Sequence, residues 1–309
     1  MTNKRIMITG ANAGIGKNVA KQLALLNDTE KIYLACRNES KAKQAKKELE
    51  EQTGKSVFEI IIMDMSDLNS IKTSVAALKT PIDALIMNAG GSGGKTPSSL
   101  TKDGVTTMFA TNVLGHVVLL EELIKSNKIN NVALFAGSEA ARGIANMGIK
   151  KPSLKTSSVD EFSSIIDGKY FVDNKFKLSQ AYSQVKYIGA MWIGSLARKT
   201  PALKIITLSP GGTKGTEGAS AFPPFIQFLY NHVLMPVVMP LLGLTHHSLE
   251  TGAKRIVDGI NNASLQSGVF YGSKEKVLTG PIIDQSSIFL DLKNETFQDN
   301  ANIAIHRFI

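Results

Sequence analysis

Tyr182 and Lys186 stand four residues apart, a spacing that brings two side chains together on one face of a helix. An ammonium beside a phenol favours the phenolate. The spacing therefore predicts a tyrosine drawn below its ordinary pKa of about 10 and able to exchange a proton near neutral pH. In a lysine-rich chain such a pair arises readily by chance, so its weight comes from what precedes it. A Gly-rich TGANAGIG, an Asn88-Ala89-Gly90 and an isolated Ser138 come before it in that order. Together they describe a cofactor pocket and a proton-transfer pair in one site.

These groups need a scaffold, and the hydrophobic pattern supplies one. Short apolar runs at 6–9, 32–35, 57–63, 84–87, 132–136, 205–209 and 268–271 predict strands, each bounded by Gly, Asn, Asp or Ser. Helical periodicity predicts helices over 15–26, 40–51, 67–78, 105–125, 179–199 and 248–261. Apolar, β-branched runs without clean alternation, separated by helices, call for a parallel sheet covered on both faces. The expected fold is α/β, a three-layer doubly wound parallel sheet. One domain is expected over 1–280, with 281–309 as a C-terminal tail.

Gly10, Asn12, Ala13, Gly14, Ile15 and Gly16 lie directly after the first predicted strand and open the first helix. Glycines there let the backbone turn tightly and approach a pyrophosphate, and the helix N-terminus supplies N–H donors. The end of the second strand distinguishes the dinucleotides. A carboxylate suits the ribose hydroxyl of NAD, and an arginine suits the 2′-phosphate of NADP. Here the residues are Cys36-Arg37-Asn38, with no acid before Glu39, and Lys17 and Lys41 add charge nearby. Arg37 can bond a phosphate bidentately, so NADP(H) is the expected cofactor. Asp64-Met65 and Asn88-Ala89-Gly90 fall at the ends of the third and fourth strands, where ligands of open parallel sheets sit; capping and turning the chain is the other use for Asp64 and Asn88.

Composition narrows the classes. Apolar residues make up 43% and charged residues 20% of the 309, in the range of soluble globular proteins. The single cysteine, Cys36, forms no internal disulfide, and the N-terminus runs straight into a strand without a signal-peptide pattern. A cytoplasmic protein is expected. The net charge of +9 is interleaved with Glu39, Glu48, Glu50 and Glu51, and no nucleic-acid-binding signature accompanies it. No nucleic-acid partner and no metal are expected.

Two segments break the β/α rhythm. Residues 141–177 are polar, turn-rich and too long for a simple connection, as functional insertions are. Residues 222–244 hold no Asp, Glu, Lys or Arg, yet Pro223, Pro224, Pro236 and Pro240 would break a spanning helix repeatedly. The first reading is a lid, over 214–247, covering an apolar substrate; peripheral contact with a membrane surface is the second.

TGxxxGxG, Asn-Ala-Gly, a helix asparagine, a strand-end serine, Tyr-x-x-x-Lys and Pro-Gly in this order resemble the short-chain dehydrogenase/reductase family, from Ile6 to about Ser273. Within it, TNVLGHVVLL, the long segment before Tyr182, Phe-Pro-Pro-Phe and SGVFYGS look most similar to retinol-dehydrogenase-like and light-dependent protochlorophyllide reductases. The resemblance implies that Asn112, Ser138, Tyr182 and Lys186 are the catalytic set. It places Pro210, Gly211, Gly212 and Thr213 beside the nicotinamide. Ser138 would bond the substrate oxygen and Tyr182 would exchange its proton. Lys186 would hold the ribose, and Asn112 would support a water chain. In many relatives the helices around Asn112 and Tyr182 pair between subunits, which leaves a homodimer open.

One position departs from the protochlorophyllide pattern: Ile188 stands where those reductases carry a cysteine. The primary expectation is therefore an NADP(H)-dependent oxidoreductase acting at a carbonyl or secondary alcohol of an apolar small molecule. A C=C reductase and a non-catalytic NADP(H)-binding sensor or scaffold are the alternatives. His116 sits among Leu114 and Val117–Leu120, a setting that favours packing or a polar contact over chemistry.

Overall fold

The computed structural model describes residues 3–92, 94, 96–173, 177–214 and 245–309. Of the expected lid over 214–247, residues 215–244 lie outside them. The strands β1 (Arg5–Thr9), β2 (Lys31–Cys36), β3 (Phe58–Ile62), β4 (Ile82–Met87), β5 (Ile129–Ala136), β6 (Lys204–Leu208), β7 (Phe270–Ser273) and β8 (Ile282–Asp284) form one sheet. Its order is β3-β2-β1-β4-β5-β6-β7-β8, parallel throughout except for β8, which runs antiparallel to β7. This is the doubly wound sheet expected from the sequence.

Each strand divides its side chains between two layers. In β1, Ile6 and Ile8 join the core under α1 (Gly14–Ala24) and α2 (Glu39–Thr53), while Met7 points to the opposite side. β4 alternates likewise, with Ala84 and Ile86 on one side and Leu85 and Met87 on the other, all fully buried. Because both faces are covered, apolar residues occupy both alternating sets, and the strands read as continuous runs. The far side is covered by α3 (Leu68–Ala77), by α4 (Thr107–Lys125) and by α6 (Leu178–Lys199), with α5 (Val159–Ile166) before it. α7 (Leu249–Asn261) lies against α1 on the first side.

Two features position the site. The order of strands reverses between β1 and β4, so the loops after these strands diverge and leave a crevice at their C-terminal ends. The second turn of α4, Ala110–Leu114, is π-helical, and Asn112 sits within it. Such single π turns recur at functional sites.

Residues 281–309 hold more structure than a tail suggests. β8 extends the sheet, and α8 (Glu295–His306) packs on α6 and α5. α6 is buried without interruption from Ser183 to Ala197. The segment 141–177 contributes short 3-10 turns and α5, whose Phe162 and Ile166 are fully buried.

Candidate active site

The Gly-rich loop takes the shape its residue types allow. Gly10 has φ +67° and Gly14 φ +54°, the left-handed region that favours glycine. A Cβ on Gly16 would stand 2.4 Å from the Gly10 carbonyl oxygen and 2.6 Å from the Asn88 amide nitrogen. The loop, the helix start and the Asn-Ala-Gly turn therefore close on one another only because Gly16 has no side chain. α1 begins after Ala13, which offers no side-chain acceptor, and its first turn holds no acid. The N–H donors of that turn and their positive dipole are left for an anion, so the residues present fit a dinucleotide pyrophosphate.

Thr9 joins this loop to the next strand. Its Oγ1 accepts the backbone N–H groups of Asn88 and Ala89, both at 2.9 Å. The hydroxyl lies 2.9 Å from His116 Nε2, while His116 Nδ1 lies 3.1 Å from the Asn112 carbonyl. A carbonyl only accepts, so Nδ1 carries the proton and Nε2 accepts from Thr9. His116 is fully buried, and burial lowers its pKa to about 3, which keeps the ring neutral. It packs edge-on against Phe135. Its place is a structural polar contact.

Asn112 is also committed to the scaffold. Its Oδ1 accepts from Gly91 N at 3.0 Å, and Nδ2 donates to the carbonyls of Gly91 and Met108, both at 2.9 Å. A Cβ on Gly90 would meet that oxygen at 2.4 Å. The asparagine thus pins the turn after β4.

At the end of β2, Arg37 extends into solvent, with Nε 3.9 Å from Asp64 Oδ2. Asn38 caps α2 by accepting from Lys41 N at 2.9 Å, and Asp64 accepts both N–H and hydroxyl of Ser66. Met65 is buried, its carbonyl against Gly115. Lys17, expected to add charge beside Arg37, is instead paired with Glu48 of α2.

Ser138, Tyr182 and Lys186 meet at the end of β5. Lys186 Nζ donates to the Ala136 carbonyl at 2.9 Å, and the Ser183 hydroxyl donates to the Ala140 carbonyl at 2.7 Å. These two bonds fasten α6 to the chain on either side of Ser138. Ser138 Oγ accepts from Ala140 N at 3.2 Å, which leaves its own proton available, and the serine is near enough to the Tyr182 phenol to draw its pKa down.

The expected lowering of the tyrosine is not found. Burial pushes Tyr182 up to about 12, outweighing the neighbouring Ser138, which lowers it, and Glu139 raises it further. Lys186 exerts no comparable pull: its ammonium is bonded to Ala136 and lies 5.7 Å from the centroid of the Tyr182 ring. Burial draws Lys186 itself down to about 8. Ile188 is fully buried in the core.

After β6, Pro210–Thr213 forms a loop with Gly211 at φ +80°. Gly211 N donates to Ser209 Oγ at 3.0 Å, Gly212 N to the Leu278 carbonyl at 2.8 Å, and Thr213 Oγ1 to the Gly211 carbonyl at 3.1 Å. The sequence-predicted residues thus gather along the C-terminal edge of β1 to β6, with Asn112 beside them on α4. The sequence reading missed Thr9, Ser183, Glu139 and Arg255. Thr9 stood inside the quoted TGANAGIG and Ser183 beside Tyr182, but their partners are distant in sequence.

Comparison with known proteins agrees with this fold. The short chain dehydrogenase family model matches residues 4–147. A short-chain dehydrogenase/reductase of Armillaria gallica is 29% identical over 250 residues, 78% of this chain and 75% of that one. Human retinol dehydrogenase 11 is 35% identical over 131 residues, 41% of this chain and 40% of that one. Among solved structures, L-sorbose reductase from Gluconobacter frateurii, complexed with NADPH and L-sorbose, has TM-score 0.62 at 16% identity, covering 91% of this chain and 98% of that chain. These similarities support a short-chain dehydrogenase/reductase of the retinol-dehydrogenase-like kind.

Proposed function

We propose that this chain is an NADP(H)-dependent oxidoreductase that moves a hydride to or from a carbonyl or secondary alcohol of an apolar small molecule. The observation that carries the reading is the placement of Lys186, whose Nζ is fixed to the Ala136 carbonyl two residues before Ser138 and lies 5.7 Å from the Tyr182 ring centroid, at the crevice edge. The substrate oxygen would sit against the Ser138 hydroxyl and the Tyr182 phenol. With its pKa pushed up, Tyr182 is a neutral phenol at pH 7, protonated as a donor to a forming alkoxide must be. Lys186, drawn down to about 8, keeps most of its charge there.

Gly10–Gly16 would hold the pyrophosphate, and Arg37 and Asn38 the adenosine ribose and its 2′-phosphate. Asp64, Met65 and Asn88–Gly90 would border the adenosine side. Lys186 and Pro210–Thr213 would hold the nicotinamide end. When bound, the nicotinamide supplies or accepts the hydride. Asn112 would serve by fixing the turn after β4, with a water relay passing near it. An apolar substrate suits the uncharged run at 222–244, and the similar human protein is named for retinol, an apolar alcohol. On the same reading the enzyme is cytoplasmic, and the uncharged run at 222–244 would serve as a substrate lid or as contact with a membrane surface.

The test is NADPH consumption by purified protein over a panel of apolar aldehydes and ketones, with sugars as the polar comparison. The expected result is turnover of apolar carbonyls that falls by about 10²- to 10⁴-fold in Tyr182→Phe. NADPH binding without turnover of any carbonyl would favour a non-catalytic sensor.

A further inference from the structure

Next to Ser138 lies a buried acid that the proposed chemistry does not use. The Glu139 side chain is 3% exposed. One carboxylate oxygen, Oε2, accepts the Ser209 hydroxyl at 2.5 Å; the other, Oε1, accepts Ser273 N at 2.9 Å. Ser209 Oγ in turn accepts Gly211 N at 3.0 Å. Glu139 therefore spans three segments: the turn that carries Ser138, the start of the Pro210–Thr213 loop, and the end of β7.

Buried cations face it. Arg255 of α7 has Nη1 3.9 Å from Glu139 Oε1 and bonded to Ser273 Oγ at 3.0 Å. Its Nη2 lies 2.9 Å from His247 Nε2 and bonds the Gly280 carbonyl at 2.6 Å. Arg142, on Glu139's own turn, donates to the carbonyls of Gly143, Ser273 and Lys274. Tyr182 approaches from α6, near enough for Glu139 to raise its pKa. Buried charge of this kind is costly unless paired and hydrogen-bonded, and here both carboxylate oxygens are engaged.

We propose that Glu139 is a positioning residue: through Ser209 it orients the Gly211 amide and the Pro210–Thr213 loop, and through the chain it fixes Ser138 against that loop. The two halves of the site, proton donor and nicotinamide loop, are thereby set by one carboxylate. This rests on the functional reading above for what those halves do. The charge has a second effect. A negative group beside Tyr182 favours the neutral phenol, in line with its contribution to the raised pKa of Tyr182. Removing it takes away one of the groups that hold Tyr182 up, which draws its pKa back down.

The experiment compares Glu139→Gln and Ser209→Ala with wild type. The first readout is amide hydrogen exchange of the ligand-free chain. Both variants are expected to speed exchange in a peptide covering 205–214 and leave one covering the Gly-rich loop unchanged. Unchanged exchange at 205–214 in Ser209→Ala overturns the proposal, even where Glu139→Gln fails to fold. The second readout is the pH profile of carbonyl reduction. Glu139→Gln is expected to shift the alkaline limb of kcat to lower pH and to cut kcat by up to about 10²-fold. Ser209→Ala, which keeps the charge, is expected to raise the Kd for NADPH about five- to tenfold with that limb in place. A limb that stays put in Glu139→Gln contradicts the electrostatic half. Wild-type protein that neither binds NADPH nor turns over a carbonyl defeats the functional reading instead, and the exchange experiment still decides the positioning claim.

Discussion

The hydroxyl of Ser183 donates to the carbonyl of Ala140 at 2.7 Å, tying the residue after Tyr182 to the turn that begins at Ser138. Both groups are buried. Distances between reacting groups are thus set by a bond that touches neither of them.

Ser183→Ala removes that bond and leaves a buried carbonyl without its partner, at about 1–3 kcal/mol. The expected outcome is a folded protein of modestly lower Tm, with kcat for carbonyl reduction reduced more than NADPH affinity. Steady-state kinetics beside a thermal melt check it; a change in Tm alone would make the bond purely structural.

Lys186 gives a stability prediction whose sign follows from burial. Its folded pKa is about 8, against an ordinary 10.5. Below about pH 8 both folded and unfolded chains hold the proton, and the cost of burying the charge is fully present. Between these values the unfolded chain holds the proton and the folded chain has lost it, so stability rises with pH. Wild type should therefore gain about 2 kcal/mol relative to Lys186→Met between pH 8 and 10. Denaturant titrations at both pH values read this directly. Tyr182, raised to about 12, acts oppositely, weakening the fold only above its unfolded value near 10, and it is common to both proteins.

α8 predicts the behaviour of the α6 face. Asp299 accepts from Ser195 at 2.6 Å and from Arg198 at 2.6 Å, and Ala301, Ala304 and Ile305 are fully buried. With α6 buried from Ser183 to Ala197 inside one chain, a homodimer through this helix has no free surface there. Light scattering should give a monomer for the full chain. A chain ending at Asn294 should self-associate or melt much earlier; a full-length dimer disrupted by charges introduced on α6 would contradict the prediction.

The sheet was legible because both its faces are covered: strands such as Ile6–Thr9 and Ala84–Met87 read as unbroken apolar runs flanked by turn residues. The motif residues were legible because glycines at Gly10 and Gly16 answer a local steric demand that the sequence displays. Helix boundaries shifted by one or two residues, as at Gly14 and Thr107. β8 and α8 escaped because the first is three residues long and the second carries a mixed pattern whose burial depends on α6. The tyrosine expectation failed for a related reason. Spacing places Lys186 beside Tyr182, but it does not reveal that the ammonium turns to Ala136 or that burial outweighs the neighbour. Glu139 and Arg255 are 116 residues apart, and no local pattern joins them.

The proposed crevice would bind a phosphorylated dinucleotide beside Arg37, whose guanidinium is exposed at the end of β2. Fluorescence titration of NADPH and NADH into wild type and Arg37→Asp tests it most directly. Wild type is expected to prefer NADPH, and the substitution to weaken NADPH by about tenfold or more while leaving NADH less affected. Equal affinity for both nucleotides in both proteins would remove Arg37 from cofactor selection, and binding of neither would contradict the site itself.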